Sequence, residues 1–155
     1  MPLASVLSGV VDLTLAGVVL VGIMFFYRVP LSPAIWTLPL FLMLTLLIAV
    51  GVALWLSALN VAYRDIAYVT PFLLQAWMYA SPVVYSATLI PEGSGQLIYG
   101  LNPMAGVIQG FRWAVLGVGQ PDPSMLAVSL AVAGLVLLTG VAYFRAVERS
   151  FADVI

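Results

Sequence analysis

The sequence predicts an all-α polytopic membrane helix bundle, and three observations predict it. Of 155 residues, 64 % are hydrophobic and 7 % are charged, against roughly 45–50 % and about 25 % in soluble domains. The few charges leave uncharged runs at 13–27, 29–63, 66–91, 93–111 and 123–144, and a spanning helix needs about 20 mostly apolar residues. Turn-forming residues fall between these runs. A soluble domain of this size would lack the polar surface to cover its core, and disorder requires low hydrophobicity with high charge.

The elements follow in order. A first span covers about 5–27 and carries an acid, Asp12, within its apolar run. Arg28-Val29-Pro30-Leu31-Ser32-Pro33 interrupts the helical pattern before a second span at about 36–58. In that span Ala49, Ala53 and Ser57 recur every four residues, a strip of small side chains that another helix can approach closely. The stretch from Asn60 to Asp65 separates it from a third span at about 67–87, in which Pro82 predicts a kink. Pro91-Glu92-Gly93-Ser94-Gly95 is rich in turn formers. Asn102 and Pro103 suit the cap and first position of a helix, and Gly117 suits its end. The helix so delimited, 103–116, is about 21 Å long at 1.5 Å per residue, too short to cross. With a shorter piece at about 96–101 it forms a re-entrant or interfacial hairpin, on which Gln109, Arg112 and Trp113 share a face. That face suits headgroups or a water-filled mouth. A fourth span covers about 123–144, followed by a charged tail, 145–155. The whole chain, 1–155, reads as one transmembrane domain. Charge alone leaves its orientation open. Four spans with both termini inside place Arg64, Arg145 and Arg149 inside against Arg28 and Arg112 outside, and a five-span arrangement does no worse.

Composition also excludes chemistry. Without Cys there is no disulfide, thiolate nucleophile or Cys-type metal site; without His the commonest general base and metal ligand is missing. Without Lys there can be no phosphate-binding G-x-x-x-x-G-K loop, so ATP-driven work must use another polypeptide. A net charge of −1 offers no field for nucleic acid. No cluster of acids marks a membrane transferase, and no metal site is expected.

Several short elements carry more information in combination. They are Leu59-Asn60-Val61-Ala62-Tyr63-Arg64-Asp65, Ser81-Pro82-Val83-Val84-Tyr85, Leu101-Asn102-Pro103 and Glu148-Arg149-Ser150-Phe151-Ala152-Asp153. In this order they resemble the permease subunits of type-2 ABC exporters for polysaccharide, O-antigen, teichoic acid or capsule, over nearly the whole chain. Such permeases usually have six spans after an amphipathic helix, so the likeness is to the last four spans and implies a protein truncated at its N-terminus.

The resemblance implies a permease without enzymatic activity in the bacterial plasma (inner) membrane. It binds no cofactor itself; ATP and Mg belong to a separate ABC ATPase subunit. It further implies a permease homodimer and a lipid-linked glycan as cargo. Asn60, Tyr63, Arg64 and Asp65 would be cytoplasmic and couple to the ATPase, where a solvated topology-fixing turn is the simpler role. Trp77, Tyr79 and Tyr85 would line a glycan path, since aromatic faces stack on sugars; an interfacial aromatic belt is the alternative. Asn102, Pro103, Gln109, Arg112 and Trp113 would lie on outer-face re-entrant helices, with Arg112 meeting headgroups or an anionic cargo. Asp12 reads as an acid paired near the interface, with an ion relay as the minority role. An exporter of drugs or other small molecules, and a non-transporting membrane fragment, are the alternatives.

Overall fold

The computed structural model describes residues 2–63, 65–83 and 99–152. They form α1 (Pro2–Phe26), a 3₁₀ turn (Pro33–Thr37), α2 (Leu38–Ala62), α3 (Ile66–Ala80), α4 (Pro103–Leu116) and α5 (Pro123–Ala152). No strand occurs among the described residues, and the chain is an all-α polytopic bundle. Among the described residues three segments are long and apolar enough to cross a membrane: Val6–Phe26, Pro33–Ala62 and Pro123–Arg149. Within the expected third span, 67–87, helix α3 stops at Ala80, where Ser81 turns extended ahead of Pro82. At 15 residues, α3 is about 22 Å long, short of the ~30 Å hydrocarbon layer. Residues 84–98, and with them Tyr85 and half of the expected helix 96–101, lie outside the described residues.

Two helices outrun their expected limits. α2 continues through Asn60, Val61 and Ala62, and the Tyr63 N–H closes its last turn on the Leu59 carbonyl at 2.7 Å. Only Tyr63 to Asp65 connects it to α3. α5 continues past residue 144 to Ala152, since Ala146, Glu148 and Arg149 favour helix and no Gly or Pro interrupts them. The charged tail is therefore mostly a helical extension.

α1 ends in a Schellman turn. The Arg28 N–H donates to Phe25 O at 3.3 Å and the Val29 N–H to Met24 O at 3.0 Å, with Arg28 at φ 54°. That left-handed position usually holds Gly. Ser32 then caps the 3₁₀ turn, its Oγ accepting from the Ala34 N–H at 3.1 Å. α4 starts at Pro103 beneath an Asn102 cap and stops at Gly117, which sits at φ 70°.

The core lies where α2, α4 and α5 meet, on Leu44, Ile48, Val107 and Ala133. Between helices embedded in lipid there is little water to expel, so close approach matters most. Glycines supply it. A Cβ on Gly140 would lie 2.8 Å from Gly51 O, one on Gly106 would lie 2.7 Å from Ser129 Oγ, and one on Gly110 would run into the Phe41 ring. The Phe41 and Phe111 rings pack beside this contact, centroids 6.2 Å apart. Further along α2, Trp55 stacks on Tyr143 of α5 at 4.8 Å and donates to Thr139 Oγ1 at 3.1 Å. By contrast α3 has no buried residue, and most of α1 is exposed.

Candidate functional site

The bundle has two unlike ends, joined by a cavity. At one end, side chains tie loops to helices. The Ser32 N–H donates to Val115 O at 3.3 Å, fastening the α1–α2 connection to the last turn of α4. The buried Ser129 hydroxyl donates to Gly100 O at 3.2 Å. Asn102 does most. Its Oδ1 accepts from the Met104 N–H at 3.1 Å, capping α4, and from the Trp77 indole N–H at 2.9 Å. Its Nδ2 donates to Ser81 Oγ at 2.9 Å and to Ala80 O at 3.3 Å. Ser81 in turn donates to Trp77 O at 2.9 Å. Arg112 donates from Nη2 to Val83 O at 2.9 Å. The broken C-terminus of α3 is thus satisfied by groups from the start and middle of α4, as buried polar atoms require.

Asp122 belongs to the same end. Its Oδ1 accepts from the Ser124 N–H and hydroxyl, both at 2.7 Å. The Ser124 hydroxyl and backbone N–H hold its carboxyl below the usual value. It precedes Pro123 at the first position of α5, where an anion also suits the helix dipole.

The opposite end carries exposed groups. Asn60 lies on the final turn of α2, Tyr63 caps that helix, and Asp65 begins α3. All three are exposed, as are Tyr68 and, on the end of α5, Arg145, Glu148 and Arg149. Asn60, Tyr63 and Asp65 are therefore close in sequence where α2 gives way to α3. Arg64 lies outside the described residues.

Between the ends, α1, α2 and α3 enclose an open, mostly apolar cavity of about 740 Å³. The strip Ala49, Ala53 and Ser57 floors it, facing Gly9 of α1 and Leu74 of α3. The close helix contact expected of that strip falls instead on the neighbouring face of α2, through Gly51. A second crevice of about 500 Å³ lies on the other side of α3, between Tyr99, Asn102, Val132 and Val136.

Of the aromatic residues expected along a glycan path, Trp77 and Tyr79 are placed differently, and Tyr85 lies outside the described residues. Trp77 is partly buried against the core with its N–H occupied, whereas Tyr79 is 61 % exposed and does not line the cavity. Two residues apart on a helix, they face nearly opposite ways. Asp12 is exposed on α1 and is not part of the cavity lining. The face of Gln109, Arg112 and Trp113 is partly buried rather than turned wholly to headgroups. The Gln109 Oε1 is buried and has no hydrogen-bond partner among the described residues. Sequence reasoning missed Ser32, Ser81 and Ser129. The first two stand directly before prolines, where a hydroxyl can satisfy backbone at a helix break.

These features define a polytopic α-helical membrane domain with one end tied by internal hydrogen bonds and the other carrying exposed polar side chains. The chain belongs to the ABC-2 type transporter family, whose model matches residues 1–116. It is similar to the O-antigen export system permease protein RfbA of Myxococcus xanthus, at 27 % identity over 74 % of this chain and 45 % of that protein. Two Klebsiella pneumoniae proteins of the same description match at 22 % identity, over 88 % of this chain and 52 % of theirs, and at 23 %, over 99 % and 59 %. The chain spans about half the length of the curated relatives it matches.

Proposed function

We propose that this chain is the membrane-spanning part of an ATP-driven exporter that moves a lipid-linked polysaccharide across the bacterial plasma membrane. The observation that carries the reading is the apolar cavity between α1, α2 and α3, which opens along the bundle between an exposed polar end and a tied one. Its lining suits a lipid tail, and the likeness to O-antigen export permeases supports a glycan cargo.

In this reading a separate ATPase subunit docks on Asn60, Tyr63, Arg64 and Asp65, beside Arg145 and Arg149, on the cytoplasmic side. Exposed Tyr and Arg side chains are the types that anchor protein interfaces. Nucleotide-driven movement there reaches α3 directly, because Asp65 stands at the N-cap of α3. The α3 helix is also the element with least packing to resist it, having no buried residue. Asn102, Pro103, Arg112 and Trp113 lie at the outer face on a short re-entrant helix, and a second copy of the permease completes the path.

Deleting the gene should abolish surface glycan and leave lipid-linked precursor inside the cell. Re-expression should restore export, and Ala53→Trp, which fills the cavity floor, should not. Intact surface glycan after deletion would overturn the reading. The apolar lining also favours a second one, export of a lipophilic small molecule. Deletion would then raise sensitivity to such compounds and leave surface glycan unchanged.

A further inference from the structure

Trp77 is the one described residue that lines both the 740 Å³ cavity and the 500 Å³ crevice. Its indole stands where α3 packs against the core cluster of Leu44, Ile48, Val107 and Ala133. Its N–H is held by Asn102 Oδ1 at 2.9 Å. Asn102 is itself committed on both ends of its amide, to Met104 N through the same Oδ1 and to Ser81 and Ala80 through Nδ2. The crosslink joins residues 25 positions apart in sequence, across the connection between α3 and α4. Apolar packing against the core cluster is the indole's other support, and α3 has no fully buried residue.

We propose that Trp77 is a latched partition between the two cavities and that Asn102 is the positioning residue that keeps it shut. Swinging the indole away from Asn102 joins the cavity bounded by α1 and α2 to the crevice bounded by α5. The result is a continuous space running past α3. The polar part of the latch is a single hydrogen bond, so a ligand or a shift of α3 can open it without unfolding α4. The cap on Met104 and the anchor on Ser81 keep Asn102 in place when the indole leaves. The inference is independent of what the protein exports.

Three side chains separate latching from capping. Asn102→Ser keeps a good helix cap, but its shorter side chain cannot reach the indole. Asn102→Asp keeps an acceptor for both the indole and Met104 N–H and loses only the donors to Ser81 and Ala80. Asn102→Leu removes everything. The full chain, labelled with 5-fluorotryptophan in lipid nanodiscs, reports each Trp by ¹⁹F NMR, with Trp77 assigned by Trp77→Phe. The expected result is one narrow Trp77 line in the wild type, retained in Asn102→Asp and split or broadened in Asn102→Ser and Asn102→Leu. The Trp55 line, held by Thr139 and Tyr143, monitors the fold. An unchanged Trp77 line in Asn102→Ser would mean that Asn102 is only a helix cap, and would overturn the proposal. Should that variant lose its Trp55 line, Asn102→Thr carries the test: it too keeps a helix cap while being too short to reach the indole, and an unmoved Trp77 line there contradicts the latch.

Discussion

The two ends of this bundle differ in how they satisfy their polar groups. At the end formed by residues 28–37, 81–83 and 99–122, hydrogen bonds stay inside the chain. Ser32, Asn102, Arg112 and Ser129 each reach a backbone carbonyl or N–H of another segment. At the other end, Asn60, Tyr63, Asp65, Arg145, Glu148 and Arg149 stand exposed on helix termini. An end that closes on itself fixes geometry. An end that leaves charged and aromatic groups open can exchange them with a partner at little cost to the fold.

The comparison can be broken most severely at the tied end. Gly110→Val drives a side chain into the Phe41 ring. Overpacking of this kind costs about 1–3 kcal/mol. Thermal unfolding in detergent should show the loss, and full retention of stability would mean that α2 and α4 do not pack as described. Arg28→Gly should act in the opposite direction. The left-handed geometry at φ 54° costs a residue with a Cβ about 1–2 kcal/mol, partly offset by the greater freedom of an unfolded glycine. A net gain of up to about 1 kcal/mol is expected by the same measurement.

Asp122 gives a smaller effect with a definite sign. Its folded-state carboxyl is held below the ordinary value by Ser124. The stabilisation it contributes is therefore present above the unfolded value and lost as pH falls through the folded one. Between neutral and strongly acidic pH, wild type should lose slightly more stability than Asp122→Asn; parallel pH profiles would contradict this. The smallest stability change is expected at the open end. Tyr63→Ala removes an exposed side chain and should stay within about 0.5 kcal/mol of wild type. It should nonetheless weaken co-purification of an ATPase subunit. A large loss of stability would show that the open end is structural after all.

The fold class was legible because charge-free runs and proline positions report directly on membrane helices. Asn102, Pro103 and Gly117 mark the limits of α4 because capping is local chemistry. Helix ends without such markers were not legible. Nothing in Asn60-Val61-Ala62 or in Ala146 to Ala152 shows where α2 or α5 stops, since helix propensity is nearly flat across those residues. The site was less legible still. Trp77 and Asn102 meet only because the chain returns after the α3 break, and spacing along a sequence holds no trace of such a return. Arg112 looks like a headgroup anchor by its residue type, yet it reaches Val83 O, a partner named only by the fold. The small-residue strip of α2 was visible, but whether it meets a helix or a cavity depends on which neighbouring face carries Gly51.

The central claim is that the end carrying Tyr63 receives the energy-supplying partner and the end carrying Trp36 does not. A photoreactive amino acid placed at either position tests it in native membranes. Both side chains are exposed, 63 % and 88 % respectively, so access is not the difference. The account predicts a crosslink to the ATPase subunit from position 63 and none from position 36. A crosslink from position 36, or its absence from position 63 in the assembled complex, would contradict it.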